Sequence, residues 1–329
     1  MKTVILGAKP MRRFFDVVLP VMKYSVFSAF AVVFTMVFTD YGIPLSVGGT
    51  YSILPLLFYK NVIGMLDFSK GAIYSTIILV PAAVVYLLDI CYFSKKQAQS
   101  AHNLRPVKSG PFHPIQKLFF GVISLIIAIP IVIIIAAPFI EGWPYDLTFT
   151  LRHFQRIISV GALGKLVANS ILISLLTGLV GTILVLTASY VYVRNKGGLQ
   201  PMKKVTHGLY MTSLAIPGLA LGLAFALFFK GTALYNTMAI LVIVNVVHFF
   251  GSPYMMAISH FKLLNPNLES ICKTLGGNWF NVIFDVILPN SKQVLTDVFI
   301  FFFTNSMVTI SAVSLLYTSK SMTLALQIT

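Results

Sequence analysis

Residues 118–140 read LFFGVISLIIAIPIVIIIAAPFI, an unbroken run without a single charged side chain. A helix rises about 1.5 Å per residue and the hydrocarbon core of a bilayer is about 30 Å thick, so a run of this length crosses it. A helix on the surface of a water-soluble protein keeps one polar face, and this stretch has none. The rest of the chain agrees, being 57% hydrophobic and 10% charged with a mean hydropathy of +0.88. Soluble domains run at about 45–50% apolar and about 25% charged. With 117–140 as one span, six further runs of the same character lie at 22–42, 72–94, 166–193, 206–229, 234–258 and 294–317. The expected fold is therefore an all-α polytopic membrane protein with about seven transmembrane helices. The first twenty residues are charged and broken, without the apolar core of a signal peptide.

The formal net charge of +15 raises the question of nucleic acid. Placing the first loop in the cytoplasm puts 17 of the 24 Lys and Arg inside, among them Arg12, Arg13, Lys95, Lys96, Arg194, Lys196, Lys203, Lys204 and Lys273. That is the positive-inside bias that orients membrane proteins, and no basic run is interleaved with exposed aromatics, so no nucleic-acid partner is expected. Cys91 and Cys272 both fall on the reducing side and neither belongs to a CxxC pair, so no disulfide, metal site or cofactor is implied.

Shifting the chain by 269 residues lays LGAKPMRRFFDVVLPVMKYSVFSAFAVVFT, from position 6, over LGGNWFNVIFDVILPNSKQVLTDVFIFFFT, from position 275, with 11 of 30 positions identical. Chance gives roughly two or three, and the matches include Gly7 with Gly276, Asp16 with Asp285 and both Leu-Pro pairs, so this is an internal repeat. Between the linker and the second copy lie four of the expected spans, whereas the first copy begins at the repeated loop. The first continues past its Leu-Pro through two spans, whereas the second has 40 residues left. The expectation is an internal or truncated piece of a parent of about 520 to 550 residues built from two tandem halves. The polar, proline-bearing segment 94–115 reads as the linker between them.

Within the second copy the loop reads LLNPNLESICKTLGGNWFNVIFDVILPNSK, from position 263. Asn265-Pro266-Asn267 starts a helix, and Leu268, Ile271, Cys272 and Leu275 form one stripe at i, i+3, i+4 and i+7. Gly276-Gly277 breaks it, and a second apolar turn carries Trp279, Phe280, Ile283 and Phe284 before Pro289. One such loop reads as an amphipathic segment lying in the headgroups, but two copies with fixed Gly-to-Pro spacing do not.

The loop resembles the E-A-A-x3-G-x9-I-x-L-P signature of the permease subunits of binding-protein-dependent ABC importers. Gly276, Val286, Leu288 and Pro289 fit the spacing, as do Gly7, Val17, Leu19 and Pro20 in the first copy. The family's Glu position falls on Ser270, and Glu269 sits one place early. The resemblance implies that Gly7, Leu19, Pro20, Glu269, Leu275, Gly276, Leu288 and Pro289 belong to loops that dock on a cytoplasmic ABC ATPase dimer, one per half. It implies an extracytoplasmic solute-binding protein as a further partner and a bacterial inner-membrane location. The stretches at 166–194 and 211–229 resemble two helices of the same permease fold. The tandem arrangement, with DYGIPLSVGG from position 40 and TISAVSLLYT from position 309, resembles fused permeases for ferric iron, thiamine or 2-aminoethylphosphonate. The domain organisation implied is 1–94 as the C-terminal part of a first permease half, 95–115 as linker and 116–329 as a second half with five spans and a docking loop at 264–290.

Asp40 and Tyr41 stand at the end of one span, and the shift of 269 sets Thr309 opposite Asp40 and Ser311 opposite Gly42. These four are the candidate solute-pathway residues. Asn245 and His248 sit inside the sixth expected span, where a helix–helix hydrogen bond is the expected role. Pro217-Gly218 marks a packing kink. Arg152 and Arg156 read equally well as a contact for an extracytoplasmic protein and as snorkelling ends of an interfacial helix. An ion-coupled secondary transporter is the alternative, but it calls for buried carboxylates, and the nine acids all sit in loops or near span ends, with Asp89 and Asp297 lying deepest. No GxxxxGK[ST], HExxH or GxSxG occurs, so the chain is not expected to be an enzyme, and ATP would be hydrolysed by a partner subunit.

Overall fold

The computed structural model describes residues 15–16, 19–65, 67–88, 114–159, 163–194 and 200–327. Gly7, Val17, Asp89, Cys91 and the linker up to residue 113 lie outside them. In chain order the elements are α1 (Leu19–Thr39), α2 (Gly42–Val47), α3 (Leu54–Tyr59), α4 (Phe68–Leu88), α5 (Pro114–Ala136), β1 (Ile140–Gly142), β2 (Asp146–Phe149), α6 (Arg152–Ser159), α7 (Leu163–Arg194), α8 (Gln200–Met211), α9 (Gly218–Phe229), α10 (Met238–Phe249), α11 (Gly251–Leu263), α12 (Asn267–Thr274) and α13 (Lys292–Val308). The fold is helical, and β1 with β2 forms the one sheet among the described residues. Contacts divide the chain into one unit of residues 1–99 with 168–329 and a second of residues 100–167.

The second unit is α5, the hairpin and α6. Every described side chain of α5 from Leu118 to Val132 is exposed, as expected of a helix whose solvent is lipid. β1 pairs antiparallel with β2 through Ile140 with Phe149 and Gly142 with Asp146. Phe139 stacks on Phe149, and Arg152 pairs with Glu141 at 2.7 Å.

In the first unit, three glycine and hydroxyl positions of α7 decide the packing. A Cβ at Gly178 would lie 2.7 Å from the Phe299 ring, and one at Gly181 the same distance from Phe302, so two aromatic side chains of α13 press into α7 where only glycine leaves room. Beside them the Asn245 side-chain amide of α10 donates to Ser306 Oγ at 2.9 Å, and Ser306 lies 3.4 Å from Thr177 Oγ1. Small residues and interhelical hydrogen bonds are what hold helices together where lipid removes the hydrophobic drive.

Three helix boundaries differ from the expectation. Span five is broken between α8 and α9 with a 112° bend, because Pro217 supplies no N–H and the backbone at 215–217 leaves the helix. Span six is broken by 58° between α10 and α11, where the Gly251 amide turns to Ser213 Oγ at 2.7 Å. Span seven ends at Val308, nine residues short of 317, in a series of turns. Among the described residues, α4, α5 and α7 are long and apolar enough to cross a membrane as single helices, or six spans if each bent pair counts as one.

The repeat survives in three dimensions. Residues 15–16 are π-helical, and so are their counterparts 284–285. α1 ends at Thr39 and α13 at Val308, which are the same position after the shift of 269. In the turns that follow, the Leu45 amide donates to the Tyr41 carbonyl and Gly48 to Pro44, while Ser314 donates to Ile310 and Tyr317 to Val313, again 269 residues on. Beyond the first copy, Tyr41, Phe58, Val62 and Ile78 pack with Leu219 and Leu223 of α9, and Ile310 and Leu315 from the turns after α13 pack against the same cluster.

Candidate functional site

The loop from α12 to α13 folds as a helix-turn-helix. α12 ends at Thr274, and Gly276 takes a φ of +82°, the left-handed region that reverses a chain after a helix. Gly277 is required for a second reason, because a Cβ there would sit 2.6 Å from Cys272 Sγ. Asn278 then caps the next turn in a reciprocal box, its side chain accepting from the Asn281 amide at 3.0 Å while Asn281 accepts from the Asn278 amide at 3.1 Å. The segment 282–287 widens to a π-helix before Leu288 and Pro289. Pro289 has no N–H to give and its ring would crowd the carbonyl four residues back, so the wider turn relieves that clash. The Val286 carbonyl accepts from the Asn290 side chain at 2.7 Å.

The apolar stripe is not buried. Leu275 is 82% exposed, and Ile271, Trp279, Phe280 and Phe284 are exposed with it. Leu268, Ile271, Cys272, Leu275 and Val286 line a shallow groove whose polar edge is Asn281 and Asp285. Large apolar side chains gathered around a polar edge mark a surface made to be covered.

Glu269 faces the other way. Its Oε1 lies 2.8 Å from Arg194 Nε at the end of α7, an ion pair without hydrogen-bond alignment, with both side chains mostly buried. Arg194 Nη2 also donates to the Leu264 carbonyl at 2.9 Å, and Tyr190 on the same helix stands beside the Glu269 carboxylate. Ser270, at the family's Glu position, is exposed. One residue turns a helix by about 100°, so the shifted acid occupies a different face from the one the signature describes.

A second feature lies at the break between α8 and α9. A cavity of about 230 Å³ is lined by Thr35, Met36, Thr39, Asp40 and Tyr41 from the end of α1 and the turn after it, by residues 213–218 at the break, and by His248 and Ser311. Irregular backbone at membrane depth is tolerated where it is enclosed by protein or lines such a cavity. Asp40 accepts from the Gly42 and Ile43 amides, both at 3.2 Å, which fixes the turn after α1. A Cβ on Gly218 would overlap the Ser311 hydroxyl and come within 3.1 Å of His248 Nε2.

Of the four candidate pathway residues, Asp40, Tyr41 and Ser311 thus share one cavity. Thr309 is buried outside its lining. Asn245 makes the expected helix–helix bond, but His248 departs from that reading, with Nδ1 enclosed without a hydrogen-bond partner and its ring on the cavity wall. Arg194 and Tyr190 were not singled out in the sequence. The signal that could have found them is their i, i+4 spacing at the last turn of a helix whose other charged residue is Lys165 at its far end. Leu19 and Pro20 open α1 and are exposed, and Gly7 lies outside the described residues. Among the described residues no group of three or more His, Cys, Asp or Glu side chains stands together to hold a metal ion.

Residues 199–329 match the family described as "Binding-protein-dependent transport system inner membrane component". This region contains the break, the helix-turn-helix loop and α13. The chain resembles ABC importer permeases. Over 96% of its length it is 22% identical to the ferric transport system permease protein FbpB of Actinobacillus pleuropneumoniae, covering 47% of that protein. It is 22% identical to the putative ferric transport system permease protein FbpB 1 of Haemophilus influenzae over 96% of its length, covering 51% of that protein. The chain spans about half the length of the curated relatives it matches.

Proposed function

We propose that this chain is part of the membrane-spanning permease of an ATP-driven importer in a bacterial inner membrane. It forms a solute pathway between two repeated halves and draws its energy from a separate cytoplasmic ABC ATPase dimer. The observation that carries the reading is the loop built on Gly276 and Pro289, an exposed apolar groove on a helix-turn-helix with a second copy 269 residues earlier. ATPase closure draws the two loops together, the halves rotate, and the cavity between α1 and the α8–α9 break opens to one side and then the other. Gly7, Leu19, Pro20, Leu275, Gly276, Leu288 and Pro289 serve the docking loops. Asp40, Tyr41 and Ser311 line the route, and Thr309 supports the turn beside it.

An extracytoplasmic binding protein delivers the solute, which from the relatives' names and the tandem arrangement is ferric iron, with thiamine or a phosphonate as the other candidates. Residues 1–94 and 116–329 are the parts of the two halves, joined by 95–115. The test is reconstitution of the full-length complex with its ATPase and binding protein. Replacing Gly276 and Pro289 together is expected to abolish ATP-dependent uptake while the spans still insert. Uptake that stayed coupled to hydrolysis would sink the proposal.

A further inference from the structure

The last turn of α7 holds three parts of the loop at once. Arg194 reaches the Glu269 carboxylate in the first turn of α12 at 2.8 Å and the Leu264 carbonyl at the end of α11 at 2.9 Å. Tyr190, one turn earlier on the same face, stands beside the same carboxylate, and its ring lies 6.0 Å from that of Trp279 and 5.6 Å from that of Phe261. The chain's own connections to α12 are weaker. On one side it hangs on residues 264–266, and on the other on Gly276 and Gly277, the first of them at a positive φ and exposed. A push on an eight-residue helix held only by such hinges would be absorbed in them.

We infer that Arg194 and Glu269 form a clamp that carries displacement of the docking helix α12 directly into α7, bypassing the glycine hinge. Arg194 is a positioning residue. It touches no solute, but it fixes the lever through which the ATPase acts. Several features make the clamp suited to the task. The pair is largely withdrawn from water, with side chains 13% and 19% exposed, so it is less screened than a surface ion pair. The carboxylate sits in the first turn of α12, where the helix dipole favours a negative charge. From α7 the displacement has a packed route onward, through Gly178 and Gly181 against Phe299 and Phe302 and through Thr177, Ser306 and Asn245. The shift of the acid from the family's position to 269 then has a physical meaning, because from 269 it faces α7, whereas Ser270 is exposed.

The inference rests on the reading of the loop as an ATPase dock. The experiment compares the full-length complex carrying Arg194→Glu, Glu269→Arg, or both, measuring solute uptake per ATP hydrolysed in proteoliposomes and hydrogen exchange of the α12 amides. Each single reversal is expected to lower uptake per ATP at least tenfold and to speed α12 exchange, while the complex still assembles. The double reversal is expected to restore both at least partly, which a loss of folding would not do. Arg194→Lys keeps the charge but loses the fork that reaches Leu264, and should fall between. Single reversals that leave uptake per ATP unchanged would overturn the clamp and leave the permease reading standing. An unmodified complex without ATP-dependent uptake would remove that reading itself.

Discussion

Gly276 holds a φ of +82° in the open, where no neighbour would oppose a side chain, so backbone strain alone decides what can stand there. Gly276→Ala is expected to cost roughly 1–2 kcal/mol, the penalty of a left-handed residue with a Cβ, read as a lowered midpoint of thermal unfolding. Gly218 is the opposite case, a glycine at a negative φ that is needed for space. Gly218→Val would drive a branched side chain into Ser311 and His248 and fill part of the cavity of about 230 Å³. The expected result is uptake reduced at least tenfold with the basal hydrolysis rate of the complex unchanged. Equal uptake by the variant would take the cavity out of the solute's path. Both glycines were visible in the sequence as punctuation, but only the first could be given its reason there. A positive φ after a helix follows from the local pattern, whereas closeness to Ser311 and His248 depends on segments far apart in the chain.

The same division governs the elements. The long apolar helices α5 and α7 were legible because every residue in such a run adds to the same hydropathy signal. The size of the breaks in spans five and six was not, since an averaged hydropathy passes over a bent backbone whose flanks are equally apolar. Pro217 announced one of them, while the other depends on Ser213 reaching Gly251 across the fold. The end of α13 at Val308 was hidden because SAVSLLY, from position 311, is as apolar as the helix before it, yet the repeat held the answer in the Asp40-Tyr41 boundary of α1. Packing between elements is where stability should respond. Gly181→Ala places a Cβ 2.7 Å from the Phe302 ring, and overpacking of this kind costs about 1–3 kcal/mol, to be seen as a fall in the unfolding midpoint of the detergent-purified protein. A double-mutant cycle on Asn245→Ala and Ser306→Ala should give a coupling of about 0.6 kcal/mol and no more than about 1.7. Zero coupling would mean that the bond is not a feature of the membrane-embedded fold.

At the scale of the whole molecule, the repeat makes a stronger demand than either loop does. Two copies that share a π-helical turn, a helix end and two backbone hydrogen bonds after it are two versions of one structural unit, which the proposed function makes a pair of levers. If each lever meets one ATPase subunit, what is found at Leu275 should recur 269 residues earlier at Leu6, although Leu6 lies outside the described residues. Leu275 is the sharper probe, because a side chain 82% exposed on an apolar stripe is available to a water-soluble maleimide until a partner covers it. With native cysteines removed, Leu275→Cys and Leu6→Cys variants of the full-length permease should both label quickly alone. Both should become protected on adding the ATPase, with protection complete at two ATPase subunits per permease. Exposed positions away from the loop, such as Tyr145, should label at the same rate throughout. Protection of Leu275 alone would mean that the levers are unequal and that the first copy keeps the sequence of a dock without its use. Protection of neither would remove the partner from the groove and leave its apolar residues to the lipid headgroups.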